Sequence, residues 1–231
     1  MGEDLLRRPH VWQPGSADPP LLLLHGTGGD EHDLLGLREH LAPGAPVLSP
    51  RGTVLEQGMP RFFRRLREGV FDEDDLRARA DELAAFLHAA EAKYDVPAGS
   101  WLAVGFSNGA NMASALLLRH PEALAGAVLL AAMVPFADDE PEDLALAGKR
   151  VLIVNGDSDP MATPGQTTRL AEQLRRRDAH VELLPFPGGH TIDPAQLPRI
   201  RQFIGAGGVG PDLAPVVTGQ RCPHLIQLWS P

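Results

Sequence analysis

Short apolar runs alternate along the chain with stretches in which apolar residues recur every three or four positions. Six runs are typical of strands, and several are apolar throughout, like strands of a parallel sheet that is covered on both faces. They occupy residues 21–25, 45–49, 101–106, 126–132, 150–155 and 180–186. The alternation of strands and helices predicts an α/β fold, a doubly wound and mostly parallel sheet with helices on both faces.

The predicted helices follow from this spacing and from capping residues. One face of the first helix is formed by Leu76, Ala80, Leu83, Leu87 and Ala90. Three further helices are predicted at residues 108–119, 163–177 and 193–203. Thr163 and Asp193 each precede a proline, as an N-cap residue precedes proline at the first helical position. A further helix is expected to start near Asp30.

The length and the change of composition near residue 205 predict the domain organisation. A chain of 231 residues is long enough for one α/β domain with a substantial core, whereas two domains would be cramped. We expect residues 1–204 to form this single domain. Residues 205–231 are rich in glycine and proline and lack periodicity, so we expect a loosely ordered extension.

Charge and cysteine content narrow the classes of partner and compartment. The formal net charge of -9 argues against a nucleic-acid surface, which needs a basic footprint. Cys222 is the only cysteine, so an intramolecular disulfide is excluded and nothing demands an oxidising compartment. Residues 1–24 lack the order of a secretion signal, and no apolar run approaches the ~20 residues of a membrane span. These features predict a cytoplasmic protein without membrane insertion.

The stretch GFSNGA, residues 105–110, follows a predicted strand and opens a predicted helix. In that context the pattern G-x-S-x-G is typical of a nucleophile elbow, in which a strained turn exposes the serine hydroxyl. Gly105 and Gly109 leave room where strand and helix approach each other closely. We interpret Ser107 as a catalytic nucleophile; the alternative is a serine that only caps the helix.

An acyl-transfer serine needs N–H donors for the oxyanion of the tetrahedral intermediate. The residue after the nucleophile supplies one such backbone N–H, here that of Asn108. A glycine-rich loop after the first apolar run, HGTGGD at residues 25–30, offers the second, and we expect the backbone N–H of Thr27 to be that donor. The alternative is an ordinary glycine-rich turn. His25, at the end of the strand, is expected to be structural.

His190 is the best candidate among nine histidines for the general base, because it lies in a glycine loop after the last predicted strand. The acid that orients it should lie between Ser107 and His190 in the chain. Asp157 and Asp159 both follow the strand at 150–155, and position alone favours Asp159 only slightly. The rivals after the preceding strand are Asp138 and Asp139.

The run RFFRRLR, residues 61–67, combines basic and aromatic residues. It is interpreted either as a helix edge with solvated arginines or as a segment that covers a pocket or contacts a second subunit. If residues 53–75 cover the site, Phe62, Phe63 and Met161 are candidate apolar walls of the substrate pocket.

Five stretches taken together resemble the α/β-hydrolase superfamily, and within it the small bacterial carboxylesterases related to lysophospholipases and acyl-protein thioesterases. They are HGTGGDEHDL (25–34), SPRG (49–52), GFSNGA (105–110), NGDSDP (155–160) and GGH (188–190). The stretch at residues 58–76 is similar to a hydroquinone-associated branch of hydrolases. The resemblance spans residues 20–203 and implies an α/β-hydrolase fold.

The resemblance also implies roles for single residues. The family's nucleophile falls on Ser107, its histidine on His190, and its acid, which directly precedes a proline, on Asp159. Its oxyanion donors fall on the backbone of Thr27 and Asn108. The sequence departs from the family by having asparagine where histidine is frequent before Gly156, and Asn108 where glutamine is frequent.

The expected function is therefore a serine hydrolase that cleaves small carboxylic esters through an acyl-enzyme intermediate. The resemblance implies a homodimer and a need for neither metal nor organic cofactor. Two alternatives stay open: a thioesterase or lysophospholipase that uses the same residues, and a non-catalytic binding protein on the hydrolase fold.

Overall fold

A computed structural model describes residues 5–137 and 145–206 of the chain. The strands, in chain order, are β1 His10–Gln13, β2 Leu21–Leu24, β3 Val47–Pro50, β4 Val54–Glu56, β5 Met59–Arg61, β6 Arg65–Arg67, β7 Val70–Phe71, β8 Leu102–Phe106, β9 Gly126–Leu130, β10 Arg150–Val154 and β11 His180–Leu183. The α-helices are α1 Leu37–Leu41, α2 Glu73–Tyr94, α3 Asn108–Arg119, α4 Pro164–Arg175 and α5 Leu197–Gly205.

Seven strands form the central sheet in the order β1-β3-β2-β8-β9-β10-β11. The pairings from β3 to β11 are parallel, and only β1 runs antiparallel, against β3. The four leucines of β2 are fully buried and alternate between the two faces, as side chains of a strand do. Leu22 and Leu24 pack in the core cluster that includes α2, α3 and α4, whereas Leu21 and Leu23 pack against α1 and α5. The prediction of a doubly wound, mostly parallel sheet with helices on both faces is confirmed.

The six predicted strands are all present, but strand β1 and the helix expected near Asp30 differ from the sequence-based expectation, and strands β4 to β7 are not among the predicted elements. Strand β1 was not predicted, because its four residues are polar or half-buried and take their partners from β3. The helix expected near Asp30 begins only at Leu37. Asp33 Oδ2 accepts from the Asp30 N–H at 3.1 Å, and Asp30 Oδ1 accepts from the His32 N–H at 2.8 Å. Such side-chain bonds offer the backbone an alternative to the helix.

Two short antiparallel hairpins, β4–β5 and β6–β7, lie between β3 and α2. We call residues 54–71 the cover segment. It contains the run 61–67, which forms strands and not the edge of a helix; Arg64 and Arg67 are exposed, as one interpretation expected, but Arg61 is not. Arg61 is 3% exposed and is therefore a buried charge, while Phe62 and Phe63 are also buried.

Several sequence-based predictions lie outside the described residues. They are those for Asp138, Asp139 and Cys222, and the extension from residue 207 onward. None of the helices in the described part of the chain is both long and apolar enough to cross a membrane.

Candidate active site

The carboxyl ends of β2, β8, β10 and β11 lie on one edge of the sheet, and the loops that leave them carry the candidate site. Ser107 directly follows β8 with φ 51° and ψ -113°, a backbone conformation that is strained for any residue but glycine. Its N–H donates to the Leu130 carbonyl at 2.8 Å. The turn therefore has the geometry expected of a nucleophile elbow.

The glycines on either side of Ser107 are required by the close approach of strand and helix. A Cβ at Gly109 would overlap the carbonyl oxygen of Leu24, and a Cβ at Gly105 would overlap the backbone of Gly109. Any larger residue at either position would push α3 away from the sheet and move Ser107.

A continuous chain of hydrogen bonds joins Ser107, His190 and Asp159. The Ser107 Oγ lies 2.8 Å from His190 Nε2, and His190 Nδ1 lies 2.7 Å from Asp159 Oδ2. Ser107 lies 83 positions and Asp159 lies 31 positions before His190 in the sequence, and the three residues, each from a different loop, meet in the folded chain. Asp159 is 2% exposed, and its Oδ1 accepts from the N–H groups of Met161 and Ala162 at 2.8 and 2.9 Å. These bonds hold its other oxygen towards the imidazole.

Asp157 makes no hydrogen bond or ion pair with His190 in the described structure. It is exposed, and its Oδ1 accepts from the Gly188 N–H at 3.3 Å and from the Ser158 hydroxyl at 3.0 Å. The backbone adds a Ser158 N–H bond to the Gly188 carbonyl at 2.9 Å. Asp157 therefore fastens the loop of Asp159 to the loop of His190.

Two backbone N–H groups beside Ser107 are candidate oxyanion donors. Asn108 is the first residue of α3, so its N–H has no intrahelical acceptor. The N–H of Thr27 has no hydrogen-bond acceptor among the described residues, whereas the next residue, Gly28, donates to the Pro60 carbonyl at 2.9 Å. Thr27 and Asn108 both line the cavity that contains Ser107.

His25 fixes the start of the Thr27 loop. Its Nδ1 lies 2.6 Å from the Gly26 carbonyl, and its Nε2 accepts from the Gly52 N–H at 2.9 Å. Nε2 must therefore be unprotonated, which makes Nδ1 the donor. Burial lowers the pKa of His25, against the smaller opposing effect of the Gly26 carbonyl and nearby acids. The expectation that His25 is structural agrees with these contacts.

The cavity over Ser107 has a volume of about 580 Å³, which lies within the range of small-molecule sites. Met161 lines it, as predicted, but Phe62 and Phe63 do not. Both phenylalanines are in the hydrophobic core, where Phe63 packs edge-on against Phe71. Phe62 packs against the His25 ring, with ring centroids 4.7 Å apart, and its N–H donates to Asn108 Oδ1 at 2.7 Å.

The cover segment supplies part of the cavity wall through residues that the sequence did not single out. These are Arg61, Arg65, Glu68, Gly69 and Phe71. The basic and aromatic composition of 61–67 indicated a pocket cover as one alternative, but it did not separate the residues that face the cavity from those in the core. Residues 5–137 and 145–206 contain no group of three metal-ligating side chains.

The sequence profile of the phospholipase/carboxylesterase family matches residues 11–206. The chain belongs to this family. The "Putative hydrolase MhqD" of Bacillus subtilis (strain 168) is 43% identical over 194 residues, which cover 84% of this chain and 96% of that relative. Among solved structures, the Bacillus cereus carboxylesterase is 43% identical with a TM-score of 0.83, covering 87% of this chain and 95% of its own. A Mesorhizobium loti carboxylesterase is 32% identical with a TM-score of 0.80, again covering 87% and 95%.

The chain is thus a carboxylesterase-type hydrolase with an α/β-hydrolase fold. In this hydrolase, Asn155 stands where the resemblance leads one to expect histidine. Its Oδ1 accepts from the Ala132 N–H at 2.9 Å, and its Nδ2 donates to the Ala132 carbonyl at 3.0 Å and to Thr167 Oγ1 at 2.7 Å. The buried amide fastens the end of β10 to the end of β9 and to α4, beneath the loop of Asp159.

Proposed function

We propose that the protein is a serine carboxylesterase that uses Ser107 as nucleophile, His190 as general base and Asp159 as the acid that orients the imidazole. The observation that carries the proposal is the hydrogen-bond chain from the Ser107 hydroxyl through His190 to a buried carboxylate. A serine hydroxyl becomes a useful nucleophile only when an adjacent base can accept its proton.

The proposed reaction has two half-reactions. Ser107 Oγ attacks the acyl carbonyl while its proton passes to His190 Nε2, and the Asp159 carboxylate stabilises the imidazolium through Nδ1. The C–O bond to the alcohol breaks as His190 returns the proton to the leaving oxygen. Water, deprotonated by His190, then attacks the acyl-enzyme and releases the acid and Ser107.

The backbone N–H groups of Thr27 and Asn108 are proposed to hold the oxyanion of both tetrahedral intermediates. Their position supports this role: they have no acceptor within the described part of the chain and lie at the mouth of the loop and at the start of α3. The N-terminus of a helix also favours negative charge. A lost oxyanion donor typically lowers kcat by about 10²–10³.

We propose small carboxylic esters as substrates. The cavity of about 580 Å³, with Met161, Phe71 and Phe106 on its walls, is of the size that holds a small molecule and offers apolar contacts to an acyl group. Thioesters and lysophospholipids are the alternatives, and kcat/KM on 4-nitrophenyl acetate, a long-chain acyl thioester and lysophosphatidylcholine separates the three. Preference for either long-chain substrate would overturn the assignment to small esters.

Labelling with a fluorophosphonate probe tests the catalytic assignment directly. The wild type should label with one equivalent, Ser107→Ala should not label, and the matched variant Ser100→Ala, which changes a hydroxyl ahead of β8, should label like the wild type. If the wild type does not label, or if Ser107→Ala labels equally, the serine-hydrolase assignment is wrong.

We also propose a cytoplasmic location, from the single cysteine, and a homodimer, from the family resemblance. Cell fractionation and light scattering of the full chain test them. Recovery in a secreted fraction or the mass of a monomer would contradict them.

A further inference from the structure

One wall of the cavity over Ser107 carries two arginines, Arg61 and Arg65, both supplied by the cover segment. A single carboxylate, that of Glu56, pairs with both. Glu56 Oε2 lies 3.2 Å from Arg61 Nε, and Glu56 Oε1 lies 2.8 Å from Arg65 Nη2. The three side chains together carry one net positive charge, in a chain whose formal net charge is -9, and the other carboxylate of this segment on the cavity wall, that of Glu68, is exposed.

The Arg61 guanidinium is buried but only partly engaged. Its Nε donates to the Phe63 carbonyl at 3.1 Å, and its Nη1 donates to Thr27 Oγ1 at 2.6 Å. Its Nη2 has no hydrogen-bond acceptor in the part of the chain that the structure describes. Nη2 is not among the buried atoms without a partner and is therefore open to the cavity, where a ligand oxygen can accept a charge-assisted hydrogen bond from it.

The position of Arg61 limits the length of that ligand. Thr27 joins the two parts of the site, because its side chain accepts from Arg61 and its N–H is the proposed oxyanion donor. The Arg61 guanidinium is bonded to the side chain of the same residue whose N–H would bind the carbonyl oxygen of the ester attacked by Ser107. A group held by Arg61 must lie within a few bonds of the ester carbon.

We propose that Arg61 and Arg65 bind a carboxylate of the substrate, so that the preferred substrates are short esters that carry a second, ionised carboxyl group. This inference rests on the proposed esterase function. The planar guanidinium fork matches a carboxylate better than any neutral acceptor, and charge-assisted bonds are about twice as strong as neutral ones. Glu68 also lines the cavity, but it is exposed, and solvent screens its repulsion of an anion.

Two methyl esters of matched shape test the proposal. Monomethyl succinate carries a carboxylate where methyl succinamate carries a neutral amide, and a pH-stat measures hydrolysis of both. The wild type should favour monomethyl succinate in kcat/KM by about tenfold or more, the typical effect of a charge-assisted hydrogen bond. A ratio of one or less would overturn the proposal.

Variants then assign the preference to the two arginines. Arg65→Gln, in a partly exposed residue, should reduce the ratio of kcat/KM for monomethyl succinate to that for methyl succinamate severalfold. Arg61→Gln should bring the ratio close to one, provided that circular dichroism shows the native fold. Arg67→Gln removes the same charge from the hairpin that carries Arg65, but outside the cavity, and it should leave the ratio unchanged.

Other outcomes contradict the inference in distinguishable ways. An equal loss on both esters in Arg61→Gln and in Arg65→Gln would mean that the arginines support the oxyanion loop instead of binding a carboxylate. An equal fall of the kcat/KM ratio in Arg67→Gln would mean that the preference for the charged ester comes from the overall positive charge of the segment and not from binding by Arg61 and Arg65. If Ser107 labels with fluorophosphonate and monomethyl succinate protects it no better than methyl succinamate, only the carboxylate inference fails. If Ser107 does not label, the esterase proposal itself fails.

Discussion

Asp157 and Asp159 lie two positions apart in the sequence but differ in burial. The Asp159 carboxylate is almost fully buried and receives two backbone N–H groups on one oxygen and His190 on the other. The Asp157 carboxylate is exposed and bonds Gly188 and Ser158. In the proposed mechanism only the first can hold the imidazole in the tautomer that accepts the proton of Ser107.

Asp159→Asn should therefore lower kcat by about 10³–10⁴, as expected when the acid of a serine triad is replaced by an amide. The amide would favour the wrong tautomer of His190 while leaving the substrate cavity in place, so KM should change little. Steady-state kinetics on 4-nitrophenyl acetate measures both constants.

Asp157→Asn is the matched control, since it removes the same charge two residues away. Its Oδ1 can still accept from Gly188, so we expect kcat within threefold of the wild type and stability within about 0.5 kcal/mol. The reverse pattern, with the large loss in Asp157→Asn, would exchange the two roles.

At the scale of the elements, the position of helix α3 against the sheet depends on Gly109, which has no side chain. The helix begins one residue after Ser107 and rests on β2 at Gly109, where the backbone carbonyl of Leu24 fills the space that a Cβ would need. The strained backbone of Ser107 is held because β8 and α3 are both fixed to the sheet in this way.

Gly109→Ala should destabilise the protein by about 3 kcal/mol, because the methyl group can be accommodated only if α3 moves away from β2. It should also abolish labelling of Ser107 by fluorophosphonate. Gly165→Ala, in α4, is the matched control: its Cβ would meet only Thr163 Oγ1, at 3.8 Å, and it should raise stability by about 0.5 kcal/mol. Urea unfolding measures both; equal effects would show that the close contact at Gly109 is unimportant.

The sequence predicts best those elements whose secondary structure is determined by their own residues. Helix α3 begins and ends at the predicted residues, Asn108 and Arg119, and the apolar runs of the central strands all lie in the sheet. The cover segment was ambiguous because distant residues decide its structure. Phe62 is buried since its N–H meets the side chain of Asn108, 46 positions away, and no local pattern records that contact.

The same distinction applies to the candidate site. Ser107 and His190 lie in motifs that can be found in the sequence, whereas the choice between Asp157 and Asp159 depends on the direction of a side chain within one loop. The contribution of Arg61 to the cavity depends on the path of the whole cover segment. Candidate catalytic residues in short motifs can thus be predicted from the sequence, whereas the residues that line the cavity cannot.

At the scale of the whole molecule, His25 links the loop after β2 to the loop after β3. Its ring accepts from the Gly52 N–H and donates to the Gly26 carbonyl, and it packs against Phe62 with ring centroids 4.7 Å apart. The loop that carries Thr27, the cover segment and the loop after β3 therefore all contact one buried imidazole. Protonation of Nε2 would break the Gly52 bond and place a charge in the core.

This arrangement predicts a pH-dependent stability. Burial lowers the pKa of folded His25 below its ordinary value of 6.5, so the unfolded chain binds the extra proton first as the pH falls. The contribution of His25 to stability is complete above pH 6.5 and is lost progressively below it, by at most about 1.4 kcal/mol per pH unit. The neighbouring acids Asp30, Glu31 and Asp33 oppose this shift but do not reverse it.

Urea unfolding between pH 5 and pH 8 tests the prediction. His25→Gln should be less stable than the wild type at pH 8, and the difference between them should shrink as the pH falls below 6.5, because only the wild type loses the His25 contribution. His40→Gln, at an exposed position on α1, should run parallel to the wild type throughout. A difference between wild type and His25→Gln that stays constant with pH would mean that the buried imidazole is not the group that titrates.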